Sequence, residues 1–253
     1  MIINILKDVI SFIIYVFICP FIINKKAILL YHSIENSISS YEDPYKVNVT
    51  LDMFGTHMSC IANNRDRYTV TFDDGYENIY LNAFPLIRKY NINSILFLIT
   101  DYVDKNISMD THFCNRYSPK PLTWDEVNEM KNSGMEIGCH SKTHINLARL
   151  DTEALTEEIA SSTKRIEEMT NQQVCSFAFP FGNANSFNKK TIEILKNNGY
   201  NRIYTNIMGM DNSQRDPCRI RRIRIYGSDS GFRFKMKIAG AYNWVDMLQY
   251  ILV

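Results

Sequence analysis

Several absences bound this chain before any motif does. Its cysteines (Cys19, Cys60, Cys114, Cys139, Cys175 and Cys218) show no Cys-x-x-Cys and no paired spacing. They read as free thiols in a reducing compartment, not as a disulfide framework or redox motif. Neither Gly-x-Gly-x-x-Gly nor Gly-Lys-Ser/Thr occurs, so a nucleotide-binding fold would lack its phosphate cradle. Charge of one sign is missing as well: 28 Lys and Arg stand against 27 Asp and Glu over 253 residues, a formal net charge of +1. That balance gives no electrostatic case for a nucleic-acid partner. The most basic stretch, Arg219 to Ile225, alternates arginine with isoleucine and reads as a strand with one solvated face. A hydrophobic content of 45% with 22% charged residues is ordinary globular composition, long enough here for one large α/β domain or two small ones.

One long apolar run exists. Val9 to Ile23 is fifteen residues without a charge, short of the roughly 20 that a spanning helix needs. No small-x-small site follows it, which argues against a cleaved signal peptide. Residues 1–23 are therefore expected to attach to a membrane, spanning it or lying in its interface, the alternative being a buried N-terminal helix. Lys25 and Lys26 follow the run and argue that the downstream domain faces the cytoplasm. Residues 1–26 are assigned to this hydrophobic membrane-associating segment and 27–253 to one folded domain.

From Ala27 onward, strands and helices alternate. Apolar, β-branched or aromatic runs at 27–31, 67–72, 94–99, 135–139 and 174–179 read as buried strands, with shorter ones near 202–205 and 220–225. Thr50 is expected to cap a helix over 51–63 with Phe54, Met58 and Ile61 on one face. A helix over 78–90 should be interrupted or kinked at Pro85. Thr123 to Glu126 has capping-box spacing and opens a helix that stops at Gly134. Further helices are expected over 151–170 and from a Ser186 cap to Gly199, with loops over 35–48 and 101–121. The alternation predicts one parallel α/β domain, closed as a barrel or open as a doubly wound sheet. The missing nucleotide fingerprint favours the barrel.

Chemistry-bearing residues sit just after these strands, where α/β folds build their sites. Asp73, Asp74 and Gly75 end the second strand. Side chains of neighbouring strand residues point oppositely, so the two carboxylates suit different tasks, a metal ligand beside a general base, although Asp-Asp-Gly is also an ordinary turn. His140 and His144 stand four apart; on a helical turn that spacing brings both imidazoles to one face. They are either two solvated histidines or, with a carboxylate from Asp73-Asp74, a two-His, one-Asp set with positions left open for water and substrate.

Thr71-Phe72-Asp73-Asp74-Gly75-Tyr76, His140-Ser141-Lys142-Thr143-His144 and Phe177-Ala178-Phe179-Pro180-Phe181-Gly182 resemble, in order, the first three motifs of the polysaccharide deacetylases, the NodB-homology enzymes of carbohydrate esterase family four. The resemblance spans roughly residues 27–225. It implies a distorted (β/α) barrel and a metal-dependent hydrolase of the acetamide of N-acetylated sugars, with 27–253 as its catalytic domain. On that resemblance Asp74, His140 and His144 bind a divalent metal, zinc being usual, and Asp73 is the catalytic base. The backbone N–H of Phe181 faces the oxyanion, and Tyr76 lines the cleft or packs beneath it. Two departures matter. No arginine stands in the third motif to orient the base, and no histidine follows His144 to act as the acid. Leu30-Tyr31-His32 precedes the first motif instead, as in the permuted branch that includes poly-N-acetylglucosamine deacetylases of biofilms. That makes His32 the general acid and Arg222, in competition with Arg219, Arg221 and Arg224, the base-orienting arginine. His57, His112 and Cys139 read as structural. Two rivals remain open: a hydrolase of a non-sugar amide, and a silent carbohydrate-binding protein.

Overall fold

The computed structural model describes residues 2–19, 25–37, 47–107 and 120–245. Seven parallel strands close into a barrel: β1 (Ala27–Tyr31), β4 (Tyr68–Phe72), β5 (Asn93–Leu98), β6 (Glu136–Cys139), β7 (Ser176–Ala178), β8 (Arg202–Met208) and β9 (Ile220–Arg224), with β9 returning to β1. A short parallel pair, β2 (Ser33–Glu35) and β3 (Asn48–Thr50), stands apart from the ring. The two-residue period of the strands sorts their side chains. Ile28, Ile95, Phe97, Ala178, Tyr204 and Ile220 form a separate buried cluster. Leu29, Tyr31, Val70, Phe72, Leu96 and Leu98 join the main core. The ring is tight: a Cβ at Gly138 would come within 2.5 Å of the Phe97 ring. Tyr31 pairs with Phe72 across β1 and β4, which sets His32 and Asp73 level at the ends of adjacent strands.

The helices follow from local chemistry. They are α1 (Ile2–Phe17), α2 (Leu51–Ala62), α3 (Phe84–Tyr90), α4 (Thr100–Lys105), α5 (Trp124–Asn132), α6 (Thr152–Thr170), α7 (Lys189–Asn197) and α8 (Gly231–Ile238). The Thr50 hydroxyl accepts from the Met53 N–H, and Thr123 with Glu126 closes the expected capping box, each such cap contributing about 1 kcal/mol. Pro85 leaves its mark where expected. Lacking an N–H, it cannot continue the regular ladder, and the turn before it, Ile79–Ala83, is a π-helix.

Three expectations need correction. Asn188, not Ser186, caps α7; its side chain accepts from the Thr191 N–H, while the Ser186 hydroxyl is spent on the Asn183 carbonyl. The stretch from Asp101 is not wholly irregular, because α4 runs to Lys105 and ends in a left-handed Asn106. Nor is 35–48 wholly loop, since β2 and β3 occupy its two ends. The central part of that segment, residues 38–46, lies outside the described residues, as do His112 and Cys114. α1 spans 16 residues, about 24 Å at 1.5 Å per residue. No helix among the described residues is long and apolar enough to cross a membrane.

His57 on α2 braces the helical layer to the barrel. The carbonyl of Asp229 can only accept, so Nε2–H donates to it at 3.1 Å and Nδ1 accepts from the Tyr31 hydroxyl at 3.1 Å. The ring stacks on Phe234 with centroids 4.0 Å apart. This wiring uses both nitrogens of the neutral imidazole. Burial, opposed by Asp229, lowers the His57 pKa from 6.5 to about 4. The unfolded chain therefore takes up a proton that the folded one refuses. Stability is full above pH ~6.5 and falls as the pH drops towards ~4, by about 3 kcal/mol. Urea denaturation across that range should show wild type losing this increment relative to His57→Gln. Parallel losses in both proteins would refute the assignment.

Candidate active site

The ends of β4, β6 and β7 converge with β9 around Asp73 and Asp74. Asp73 is fully buried, and its N–H donates to the Tyr31 carbonyl at 3.1 Å, so it still belongs to the sheet. Gly75 N–H closes back on the Asp73 carbonyl at 3.0 Å, which forces Asp74 to the left-handed φ of 77° and swings its carboxylate away from that of Asp73. The two acids thus have different main partners, although His140 Nε2 lies near both, 3.8 Å from Asp73 Oδ2 and 3.5 Å from Asp74 Oδ1.

Asp73 faces Arg222 on β9. Nη1 donates to Oδ1 at 2.7 Å and Nη2 to Oδ2 at 2.8 Å. The other three N–H groups of the guanidinium reach Thr71 Oγ1 (3.2 Å), Asn206 Oδ1 (2.7 Å) and the Thr205 carbonyl (2.9 Å). All five donors are used, and the cation stands 5.6 Å from the centre of the Phe97 ring that floors the site. Of the competing arginines, Arg219 pairs with Asp216, Arg221 is exposed, and Arg224 bonds Tyr226 and the Asn206 carbonyl. Burial raises the Asp73 pKa, but Arg222, His140 and His32 outweigh it and hold the carboxyl below its usual range.

Asp74 faces His140 and His144. Its Oδ1 lies 3.5 Å from His140 Nε2 and 3.7 Å from His144 Nε2. This oxygen is buried without a hydrogen-bond partner among the described residues. His140 Nδ1 donates to the Ala178 carbonyl at 2.8 Å, so in the neutral ring the Nε2 lone pair points at Asp74. One donor atom from each of the three residues falls within 4.8 Å of the others. Ligands 2.0–2.1 Å from a tetrahedral ion stand about 3.4 Å apart. An unpartnered carboxylate oxygen beside two imidazole nitrogens at that separation fits a divalent cation.

The His140–His144 segment is not a helical turn. Ser141 (φ 68°) and His144 (φ 62°) are left-handed, and the loop is shaped by Glu158 of α6, whose Oε1 accepts from the N–H groups of Lys142 and Thr143 and from the Thr143 hydroxyl. The rings nevertheless meet, with centroids 5.0 Å apart. The Phe181 ring lies 4.9 Å from that of His144 and is 41% exposed, at a left-handed φ of 62°. Asn206 holds this corner through Nδ2 to the Phe181 carbonyl (2.7 Å) and N–H to the Gly182 carbonyl (2.8 Å). A Cβ on Gly182 would strike the Asn206 nitrogen at 2.6 Å. His32 follows β1 beside Asp73, its Nδ1 buried with no partner among the described residues. Burial lowers its pKa against the pull of Asp74 and Asp73. Tyr76 is buried in the main core and bridges to Pro121. Cys139, buried, donates to Ser162.

Sequence reasoning overlooked Asn206, Thr205 and Glu158. Their only signal is a polar residue inside an otherwise apolar strand or helix face.

Removing Arg222 would leave a buried, unpaired carboxylate. Arg222→Met should cost about 3–5 kcal/mol by chemical denaturation, and Asp73→Asn in the same chain should recover part of that loss. Equal stabilities for the single and double variants would refute the coupling.

Comparisons with known proteins speak to family and fold. The family model for polysaccharide deacetylase matches residues 61–203. "Putative polysaccharide deacetylase YxkH" of Bacillus subtilis (strain 168) is 26% identical over 239 residues, covering 86% of this chain and 76% of that protein. The poly-beta-1,6-N-acetyl-D-glucosamine N-deacetylase of Escherichia coli (strain K12) is 26% identical over 202 residues, covering 67% of this chain but 29% of that protein. Among solved structures, the Streptococcus pyogenes deacetylase PplD in complex with acetate superposes with a TM-score of 0.71 at 21% identity, covering 85% of this chain and 98% of that one. IcaB from Ammonifex degensii gives 0.66 at 19%, covering 87% and 97%. Those structural identities speak to the fold, and the family match speaks to descent: this chain belongs to the polysaccharide deacetylase family.

Proposed function

We propose that the chain hydrolyses the acetamide of an N-acetylated sugar within a glycan or saccharide precursor, releasing acetate and a free amine. The observation that carries this reading is the pairing of Asp73, gripped by Arg222, with the cation-fitting set Asp74, His140 and His144. A binding protein has no need of both. A divalent cation held by that set, zinc in our reading, would polarise the acetamide carbonyl and acidify a bound water.

Asp73, kept ionised by Arg222, takes the water's proton. The bidentate grip fixes the carboxylate plane, so its remaining lone pairs point where the neighbouring strand ends leave room. The Phe181 N–H is our candidate donor to the developing oxyanion. Asn206 supports it by fixing the Phe181 carbonyl and the backbone of Gly182. An amide nitrogen leaves only as a neutral amine, so a proton must reach it; His32 is the proposed donor. Burial makes its imidazolium a stronger acid than usual. Tyr76 supports the cleft from beneath. Residues 1–23 attach the protein to a membrane, and Lys25 and Lys26 support a cytoplasmic catalytic domain.

Acetate release from chito-oligosaccharides and other acetylated saccharides tests the reading. Asp73→Asn should lose roughly 10²–10⁴-fold in kcat while retaining bound metal. His140→Ala and His144→Ala should lose metal and activity together. No acetate from any acetylated sugar by the metal-loaded protein would sink the proposal. His32→Ala should lower kcat with little change in KM; undiminished activity would remove His32 as the acid.

A further inference from the structure

At the end of the barrel away from Asp73, a cleft of about 300 Å³ lies where α1, the start of β1, the start of β4 and α8 meet. Lys25, Arg67 and Lys235 line it, beside the apolar surfaces of Tyr15, Met210 and Ile238, and no carboxylate is among its described lining residues. Arg67 Nη2 donates to the Lys25 carbonyl at 3.3 Å, but its Nε is buried without a partner among the described residues. Three cations gathered without a counter-charge among the described lining residues, one with an unmet donor, suit an anion.

The helix beside this cleft has two unlike faces. One is fastened to the domain: Asp8 accepts from Arg233 and from the Tyr242 hydroxyl, and Ser11 accepts from Trp244 Nε1 at 3.0 Å. The other leaves Leu6, Val9, Ile13, Val16 and Phe17 exposed, and Phe232 of α8 extends the patch. At about 24 Å the helix is too short to cross a bilayer, but a long apolar stripe beside cations suits one lying in the interface.

We propose that this end of the barrel is a docking surface for an anionic bilayer, with α1 lying in the interface and the Lys25–Arg67–Lys235 cleft taking the phosphate of an acidic phospholipid. The inference rests on the membrane-attachment reading and deepens it by naming the lipid chemistry and the orientation. Arg67 precedes β4 and Asp73 follows it, so the candidate active site opens at the opposite end from the docking cleft. A saccharide reaching that site is one extending away from the bilayer, not a headgroup lying on it.

Flotation of the full chain with unilamellar vesicles tests this. Vesicles that are a quarter phosphatidylglycerol should carry the protein, and pure phosphatidylcholine vesicles should carry it far less. Lys25→Ala and Lys235→Ala should each weaken the anionic binding about fivefold. Lys164→Ala, on α6 and distant from the cleft, should change nothing. The pair Val9→Asp and Ile13→Asp should abolish flotation on either vesicle. Equal flotation of wild type and the Lys25→Ala/Lys235→Ala protein would overturn the cleft while leaving attachment standing. No flotation on either vesicle would overturn both, and acetate release would still judge the deacetylase reading separately. A dimer in sedimentation velocity that Val9→Asp breaks, with no vesicle binding, would assign the apolar face to a second copy and overturn the proposal.

Discussion

The buried pair between Arg222 and Asp73 is the constraint on which the rest of the site depends. Arg222 stands on β9 and Asp73 follows β4, the two strands that flank β1, so the pair reaches across the seam where the barrel closes. Such a pair is weak evidence for stability, since desolvating two charges consumes most of their attraction. Its value is geometric. Five donors on five acceptors allow the guanidinium one position, and two of those bonds allow the Asp73 carboxylate one plane. With Asp73 fixed, the turn to Gly75 has to throw Asp74 the other way, towards His140 and His144.

That turn is one of several strained places, and their distribution is informative. Among the described residues, seven other than glycine have left-handed backbones. Asn91, Asn106 and Asn171 end helices, where asparagine tolerates the conformation cheaply. The other four, Asp74, Ser141, His144 and Phe181, all line the candidate site. Each costs on the order of 1–3 kcal/mol and persists only where surrounding bonds over-determine it. Those bonds are present: the Thr100 N–H donates to the Ser141 carbonyl, the His144 N–H to the Ser141 hydroxyl, and Asn206 to the Phe181 carbonyl. The closed barrel supplies the rigidity that holds them.

Much of this was legible from the residues alone. The strand–helix alternation announced a parallel α/β domain, the missing nucleotide fingerprint tipped the choice to the closed barrel, and the position of Asp73, Asp74, His140 and Phe181 just after strands announced where they would meet. Long-range wiring was harder to read. Arg222 stood out only as one arginine among four, because which face of β9 turns inward depends on its register with β1, and a seven-residue Arg/Ile stretch does not state its register. Asn206 and Glu158 carried still less signal: one is a polar residue within a strand, the other an acid on an amphipathic helix, and each gains meaning only from a loop that folds back onto it. The His140–His144 spacing brought the two rings together as expected, but by a looped path set by Glu158, not by helical periodicity.

The described imidazoles show how wiring, more than residue type, separates roles. His57 has both nitrogens committed, to Tyr31 and Asp229, and its ring clamped on Phe234; nothing is left with which to do chemistry, and it acts as a brace. His140 has one nitrogen committed to the Ala178 carbonyl, which is what a ligand needs: a fixed ring with its second lone pair aimed. His32 differs again, its Nδ1 buried and unmet among the described residues while two carboxylates and two arginines pull on its charge in opposite senses. A residue meant to bind a proton and surrender it within one turnover gains nothing from a permanent partner, because such a bond would favour one protonation state over the other. The lack of a bond to His32 Nδ1 among the described residues, beside an Asp73 whose two carboxylate oxygens are gripped by Arg222, is therefore consistent with dividing the work between a fixed base and an acid free to change its charge.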